Sequence, residues 1–296
     1  MTIPVLAPTR AELRSLLSDR SGRVALVPTM GALHDGHAAL IRRAREEAGT
    51  GPVVVSIFVN PLQFAPGEDL DRYPRTLSAD LEMCAEAGAD VVFAPAVDEV
   101  YPGGDPLVTV DPGPLGTMLE GASRPTHFRG VLTVVAKLLG LVRPDVAVFG
   151  QKDYQQLVLV RRMVSDLCLG VEIVGAATAR EPDGLALSSR NRYLDADDRA
   201  RATILSRALH AAQQRAEYGV PAARWAAMKV LSEDPELELD YLAVRAADLS
   251  EIPDDLGDCP DGVEGRVLVA ARIGATRLID NMALCLGAPA TPEGGS

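Results

Sequence analysis

Two of the four histidines in this 296-residue chain, His34 and His37, stand three apart in the run Pro28-Thr29-Met30-Gly31-Ala32-Leu33-His34-Asp35-Gly36-His37. Where a helix has begun, residues three apart share a face, so two imidazoles at this spacing are able to grip one ligand. The first helical turn also carries backbone N–H groups without intrahelical partners and a partial positive charge, which together attract anions, phosphate above all. Gly31 and Gly36 lack a Cβ and let a phosphate lie close to the backbone. The alternative is a simple glycine turn with solvent-facing imidazoles, and the spacing alone leaves both readings open. Zinc fits less well, because a helical metal pair is spaced i, i+4 and no cysteine or third histidine lies nearby.

Three further polar clusters bear on the choice. Lys152, beside Asp153, is a point cation with the reach to meet phosphate oxygens, or else a surface lysine paired with its neighbour. Gln63 and Gln156 offer amides that bind a hydroxyl or a carboxylate, or are simply solvated. Ser188, Ser189 and Arg190 lie in a polar, arginine-rich stretch that reads either as a linker or as a strap over a triphosphate, with charge-assisted bonds to a departing pyrophosphate. Together these parts describe nucleotidyl transfer, in which catalysis is mostly positioning and electrostatics.

The elements that position these groups follow from the apolar pattern. Short, mainly apolar runs at 24–27, 53–59, 91–94, 146–150 and 171–174 alternate with helical patterns at 9–20, 38–48, 78–87, 128–141 and 154–167. Such strands suit a parallel sheet covered on both faces. Ser78 and Thr126 are the expected caps of the third and fourth of these helices, and residues 101–125 read as loop and short strand. The expected fold class is α/β: a Rossmann-like doubly wound parallel sheet over residues 1–178, a smaller C-terminal α+β domain over 179–286, and a disordered tail over 287–296. In the second domain helices are expected at 196–218 and 222–231, strands at 237–244, 267–273 and 277–284, and an acidic loop at 250–264. In open α/β sheets ligands bind beyond the carboxyl ends of the strands. His34 and His37, Asn60 and Gln63, and Lys152 and Asp153 each follow a strand directly, so three clusters converge on one edge.

Composition narrows the class. Hydrophobic residues at 47% and charged residues at 24% are those of an ordinary globular protein. A formal net charge of −12 argues against a broad nucleic-acid-binding face. The longest apolar stretch, 131–142, is too short to span a bilayer and contains Lys137, so no membrane partner is expected. Met1-Thr2-Ile3-Pro4 has no leader pattern. Cys84, Cys168, Cys259 and Cys285 follow no metal or redox spacing and read as reduced core residues of a cytoplasmic protein. His127 reads as structural and His210 as surface.

As a set, the His34–His37 run resembles the signature region of the pantoate–β-alanine ligase (pantothenate synthetase) family. So do Asn60-Pro61-Leu62-Gln63-Phe64, Tyr73-Pro74-Arg75-Thr76, residues 149–157 around Gln151-Lys152-Asp153, residues 188–194 around Arg190, and Thr276-Arg277-Leu278-Ile279-Asp280-Asn281. The resemblance implies ATP-dependent condensation of pantoate with β-alanine through a pantoyl-adenylate, releasing AMP and pyrophosphate. It implies that Met30, Gly31, Ala32, Leu33, His34, Asp35, Gly36 and His37 line the ATP site, with His37 as catalytic acid. His34, Lys152 and Arg190 complete the catalytic set. Gly150, Gln151, Lys152 and Asp153 contact ATP, and Ala179, Leu187, Ser188, Ser189 and Arg190 complete the nucleotide pocket. Gln63, Gln156, Asn60 and Met30 take the substrate side. Mg²⁺ accompanies the triphosphate with no protein ligand assigned, and the protein is a homodimer. Two residues depart from the family pattern: Gln151 replaces a usual Glu, and Leu187 a usual Met. Asp80 remains of the family's candidate metal carboxylates, with Ala79 before it, and the loop 250–264 is longer than the family needs. The rival readings are an adenylate-forming transferase for another acid and a catalytically silent nucleotide binder.

Overall fold

The apolar runs at 24–27, 53–59, 91–94 and 146–150 become the inner strands of one sheet, as runs without a polar face must if both faces are to be covered, whereas the run at 171–174 falls in a part-exposed edge strand. The structure is a computed structural model that describes residues 3–18, 20–64, 70, 73–254 and 262–287. The chain divides into two units, residues 1–179 and 180–296.

In the first unit the strands are β1 (Val5–Ala7), β2 (Ala25–Thr29), β3 (Val53–Ile57), β4 (Val91–Phe93), β5 (Val146–Gly150) and β6 (Glu172–Ala176). All pair in parallel, in the order β1-β4-β3-β2-β5-β6. The helices are α1 (Arg10–Leu16), α2 (Asp35–Ala48), α3 (Leu77–Ala87), α4 (Val97–Val100), α5 (Glu120–Ser123), α6 (His127–Val142) and α7 (Tyr154–Asp166). From β2 the chain steps outward to β3 and β4, then returns to place β5 on the other side of β2. The strand order therefore reverses between β2 and β5, where open α/β sheets hold their ligands. Ala25, Val27, Val53, Val55, Val146 and Val148 are fully buried in the core beneath that point.

Several local expectations are corrected. β1 was not foreseen: of its three residues only Ala7 is buried, so it shows no alternation to read, and its pairing with Val91 to Phe93 of β4 defines it. The helix expected at 9–20 is the shorter α1, opened by a reciprocal capping box between Thr9 and Glu12. α2 starts earlier than expected, at Asp35. Ser78 does not cap α3; Thr76 occupies that position and its hydroxyl donates to Asp80 Oδ1 at 3.2 Å. Thr126 precedes α6 but makes no side-chain cap bond. Residues 101–125 hold a 3₁₀ turn, Pro114–Thr117, and α5, with no strand among the described residues. Cys84 is buried, whereas Cys168 and Cys285 are exposed rather than in the core; Cys259 lies outside the described residues. His210 is exposed, as expected.

The second unit is an antiparallel sheet under helices. Its helices are α8 (Ala196–Arg201), α9 (Thr203–Gln214) and α10 (Val220–Leu231), and its strands β7 (Glu238–Ala246), β8 (Val263–Ile273) and β9 (Thr276–Leu286), in the order β7-β8-β9. Leu205, Ala208, Leu209 and Ala212 of α9 pack with Ala223 and Ala227 of α10 against Val267, Val269 and Leu278 of the sheet. The single helix expected at 196–218 is interrupted at Ala202, beside which the Thr203 hydroxyl takes the Ala200 carbonyl at 2.8 Å. Residues 255–261 of the acidic loop and 288–296 of the tail lie outside the described residues; residues 263–264 already belong to β8.

Candidate active site

β2 ends at Thr29, whose hydroxyl donates to the Ser56 carbonyl at 2.7 Å and accepts the Gly31 N–H at 3.3 Å. The chain then turns through positive φ at Gly31 (+81°) and Ala32 (+51°). A Cβ on Gly31 would stand 3.0 Å from Ile57 Cγ2 and 3.1 Å from Asp80 Oδ2, so glycine is favoured for space as well as for conformation. Asp80 of α3, 3% exposed, holds the turn. Its Oδ2 accepts the Ala32 N–H at 3.1 Å, and its Oδ1 accepts the Leu33 N–H at 2.8 Å.

His34 is the N-cap of α2, and its Nδ1 accepts the Gly36 N–H at 3.1 Å. His37, at the third helical position, accepts the His34 N–H on its own Nδ1 at 3.3 Å. A backbone N–H can only donate, so in both rings Nδ1 is the bare nitrogen and a neutral ring carries its proton on Nε2. The rings lie 4.1 Å apart, centroid to centroid. The His37 and Ala38 N–H groups both go to the His34 carbonyl, at 2.7 and 3.1 Å. This corrects the expectation of open backbone donors: the N–H groups of residues 31–33 and 36–38 are partnered within the turn or on Asp80, and the imidazoles stand where bare N–H groups were expected. Burial pushes the His37 pKa down to about 3, with the nearby His34 and Lys152 adding to the effect and Asp153 opposing it. The resting ring is neutral at physiological pH. The same influences place the end of β5 within electrostatic reach of the end of β2.

After β5, Gln151–Asp153 form a 3₁₀ turn that runs into α7. Gln151 Nε2 donates to the Gly175 carbonyl at 3.4 Å, a bond that an ionised glutamate has no proton to make. Gln155 is 3% exposed; it accepts the Glu120 N–H at 3.0 Å and donates to the Leu115 and Met118 carbonyls at 2.7 and 2.8 Å. The preceding loop is thereby pinned to α7, while Gln156 beside it stays half-buried.

After β3, Asn60 is fully buried and caps the 3₁₀ turn Pro61–Gln63. Its Nδ2 donates to Gln63 Oε1 at 3.0 Å and to the Gly130 carbonyl at 3.1 Å. Its Oδ1 accepts the Tyr101 hydroxyl at 2.8 Å and the Leu62 N–H at 3.3 Å. With every amide group taken internally, Asn60 acts on Gln63. The Gln63 carbonyl accepts from Arg124 at 3.3 Å and from His127 Nδ1 at 3.1 Å, which is the structural work of His127.

In the second unit the arginine-rich stretch is ordered by its own bonds. Arg180 pairs bidentately with the buried Asp280, at 2.6 and 2.9 Å, and its backbone bridges Ala186. Ser188 Oγ accepts the Arg190 N–H at 3.2 Å and so opens the 3₁₀ turn Ser189–Tyr193. Leu187, Ser188, Ser189 and Arg190 are each half-buried there.

Sequence reasoning missed Asp80, Tyr101 and Gln155 as positioning groups. Asp80 did leave a trace: it shares the buried stripe of α3 with Cys84 and Ala87, at helical spacing, where a carboxylate needs a reason to be. Among the described residues no group of three or more His, Cys, Asp or Glu is disposed to hold a metal ion, and no helix is long and apolar enough to cross a membrane.

A family model described as pantoate-beta-alanine ligase matches residues 5–283. A pantothenate synthetase from a Nocardioides species is 65% identical over 96% of this chain and 86% of its own length. One from Streptomyces coelicolor is 55% identical over 97% of each chain. Among solved structures, the pantothenate synthetase of Thermus thermophilus superposes with a TM-score of 0.86 at 50% identity, covering 94% of this chain and 98% of that one. The pantoate-beta-alanine ligase of Francisella tularensis, complexed with beta-gamma ATP and beta-alanine, gives a TM-score of 0.75 at 34% identity over 94% of this chain and 97% of that one.

Proposed function

The chain belongs to the pantoate–β-alanine ligase family, and from that premise we propose how its residues divide the work. It condenses pantoate with β-alanine using ATP, through a pantoyl-adenylate, and releases AMP and pyrophosphate. In the first half-reaction a pantoate carboxylate oxygen bonds to the α-phosphorus while the bond to the β-phosphate oxygen breaks. In the second, the β-alanine nitrogen bonds to the acyl carbon, AMP departs with the C–O electron pair, and the amine gives up a proton.

The observation that carries the assignment of roles is the electrostatic meeting of His34, His37, Lys152 and Asp153 across the point where the strand order reverses. His34 and His37, each with Nδ1 engaged by backbone, direct their Nε2 sides at the phosphates. A bound triphosphate favours the protonated ring, drawing the His37 pKa back up so that the ring serves as an acid toward the departing group. Lys152 supplies positive charge to the same group. Residues 30–37 and 150–153 line the nucleotide, and Ala179, Leu187, Ser188, Ser189 and Arg190 are assigned to it by the family resemblance. Gln63 and Gln156 hold pantoate, with Asn60 keeping Gln63 in place. Asp80 has both carboxylate oxygens engaged by the turn. Mg²⁺ enters as the counter-ion of ATP, whose charge it neutralises, and no protein ligand is assigned to it. The three described cysteines are free, which suits a cytoplasmic protein; the homodimer rests on the resemblance.

Mixing enzyme, ATP and pantoate should release pyrophosphate, with AMP appearing only when β-alanine is added. Lys152→Ala should slow the first half-reaction by about 10²–10³-fold and the second by less than about tenfold, because only the first expels pyrophosphate. Equal losses in both would remove Lys152 from the phosphate site. Turnover with a different acid in place of pantoate would overturn the substrate assignment.

A further inference from the structure

We propose that Tyr101 is a positioning residue of the acid-binding site: it holds Asn60 in the orientation that makes Gln63 a one-way hydrogen-bond donor toward the substrate. The proposal rests on the reading that Gln63 holds pantoate.

The orientation of the Asn60 amide is forced by two backbone groups of opposite character. The Gly130 carbonyl can only accept and lies 3.1 Å from one end of the amide; the Leu62 N–H can only donate and lies 3.3 Å from the other. A flipped amide would set acceptor against acceptor and donor against donor at once, so Nδ2 must face Gly130 and Oδ1 must face Leu62. The second Nδ2 hydrogen points at Gln63, 3.0 Å away, so the Gln63 atom there must be its acceptor, Oε1. Nε2 is then the end that Gln63 is able to turn to a ligand. A side chain fixed in this way welcomes a carboxylate or hydroxyl oxygen and rejects a ligand donor. Such matching of buried polar groups discriminates more strongly than apolar fit.

Tyr101 completes the chain because its hydroxyl, 2.8 Å from Asn60 Oδ1, faces an atom that cannot donate and must itself give the proton. The phenol is well placed to keep doing so. Its ring is 4% exposed, tilted against Phe58 at 6.0 Å between centroids, with the Lys137 ammonium 5.3 Å over its face. Burial raises its pKa. The frame is stiff on the other side too: a Cβ on Gly130 would stand 2.1 Å from the Leu62 carbonyl oxygen, so α6 lies backbone against backbone on the Pro61–Gln63 turn. Tyr101 belongs to no motif, and its distance of 41 residues from Asn60 hides the connection in the sequence.

The test is steady-state kinetics of pyrophosphate release on the full chain, comparing Tyr101→Phe, Asn60→Asp and Gln63→Ala, with thermal midpoints measured alongside. Loss of one neutral hydrogen bond in Tyr101→Phe should raise the KM for pantoate by about 3–10-fold, leaving kcat and the KM for ATP within about twofold. Asn60→Asp puts an acceptor opposite both Gly130 and Gln63 Oε1, and should raise the KM for pantoate by about 10²-fold. Should Gln63→Ala raise that KM while Tyr101→Phe leaves it unchanged, the relay through Asn60 is wrong and Gln63 keeps its role. If Tyr101→Phe moves kcat and both KM values together with a lower thermal midpoint, Tyr101 only supports the fold and the proposal fails. If Gln63→Ala leaves the KM for pantoate untouched, it is the assignment of Gln63 to the acid that falls.

Discussion

The turns that leave the neighbouring strands β2 and β3 solve one problem in two ways. Each must present polar groups at the sheet edge from a tight bend, and each is held by one buried side chain. After β2 the clamp is Asp80, an acceptor that takes the Ala32 and Leu33 N–H groups. After β3 it is Asn60, which both donates and accepts and so passes a direction on to Gln63. A carboxylate organises backbone and leaves the imidazoles to their own local bonds; an amide organises another amide. The difference shows that the polarity of a site is set one layer beneath it, by the donor and acceptor count of the clamp.

Three measurements would break or sharpen this contrast. The largest effect is expected from Asp80→Asn, which turns an N–H donor against one of the two backbone N–H groups. It should cost about 1–3 kcal/mol in urea unfolding. It should also slow adenylation by about 10–100-fold by displacing the imidazoles, well beyond the effect of Tyr101→Phe. The Mg²⁺ concentration at half-maximal rate should stay put; a large shift there would make Asp80 a metal ligand and void the contrast.

Next comes pH. Burial holds the His37 pKa down at about 3 in the folded chain, against 6.5 when unfolded. Between those values the unfolded chain binds a proton that the folded one refuses, so stability is full above 6.5 and falls as pH drops toward 3. The slope is at most about 1.4 kcal/mol per pH unit, the value for one proton bound by the unfolded chain and refused by the folded one. His37→Gln should flatten denaturation midpoints across that window, and an unchanged slope would mean the ring is not held neutral.

The smallest effect belongs to the turn after β5. Gln151→Glu removes the bond to the Gly175 carbonyl and should cost about 0.5–1 kcal/mol, with kcat within about twofold. A larger loss of rate would show that this turn, too, depends on an amide clamp.

The inner strands were legible because they are short apolar runs, and a chain of alternating short strands and helices has few ways to bury them. β1 was not, because with one buried residue its identity comes from β4. The break at Ala202 was not, because no Gly or Pro marks it within an apolar helix face. At the site, His34, His37, Gln63 and Lys152 stood out by type and by following strands. Asp80, Tyr101 and Gln155 did not, because their work is done toward the interior.

The amino-acid sequence by itself determined that polar clusters from separate segments end on one sheet edge, since hydrophobic patterning dictates where strands stop. The imidazole nitrogens are fixed within the turn itself, and only the tertiary structure decided which end of the Asn60 and Gln63 amides is engaged inward. The Gly130 carbonyl, 70 residues from Asn60, sets the direction of its amide and in turn that of Gln63, while Tyr101 and Asp80 hold their partners at separations of 41 and 47 residues, and no local pattern records a partner at that distance.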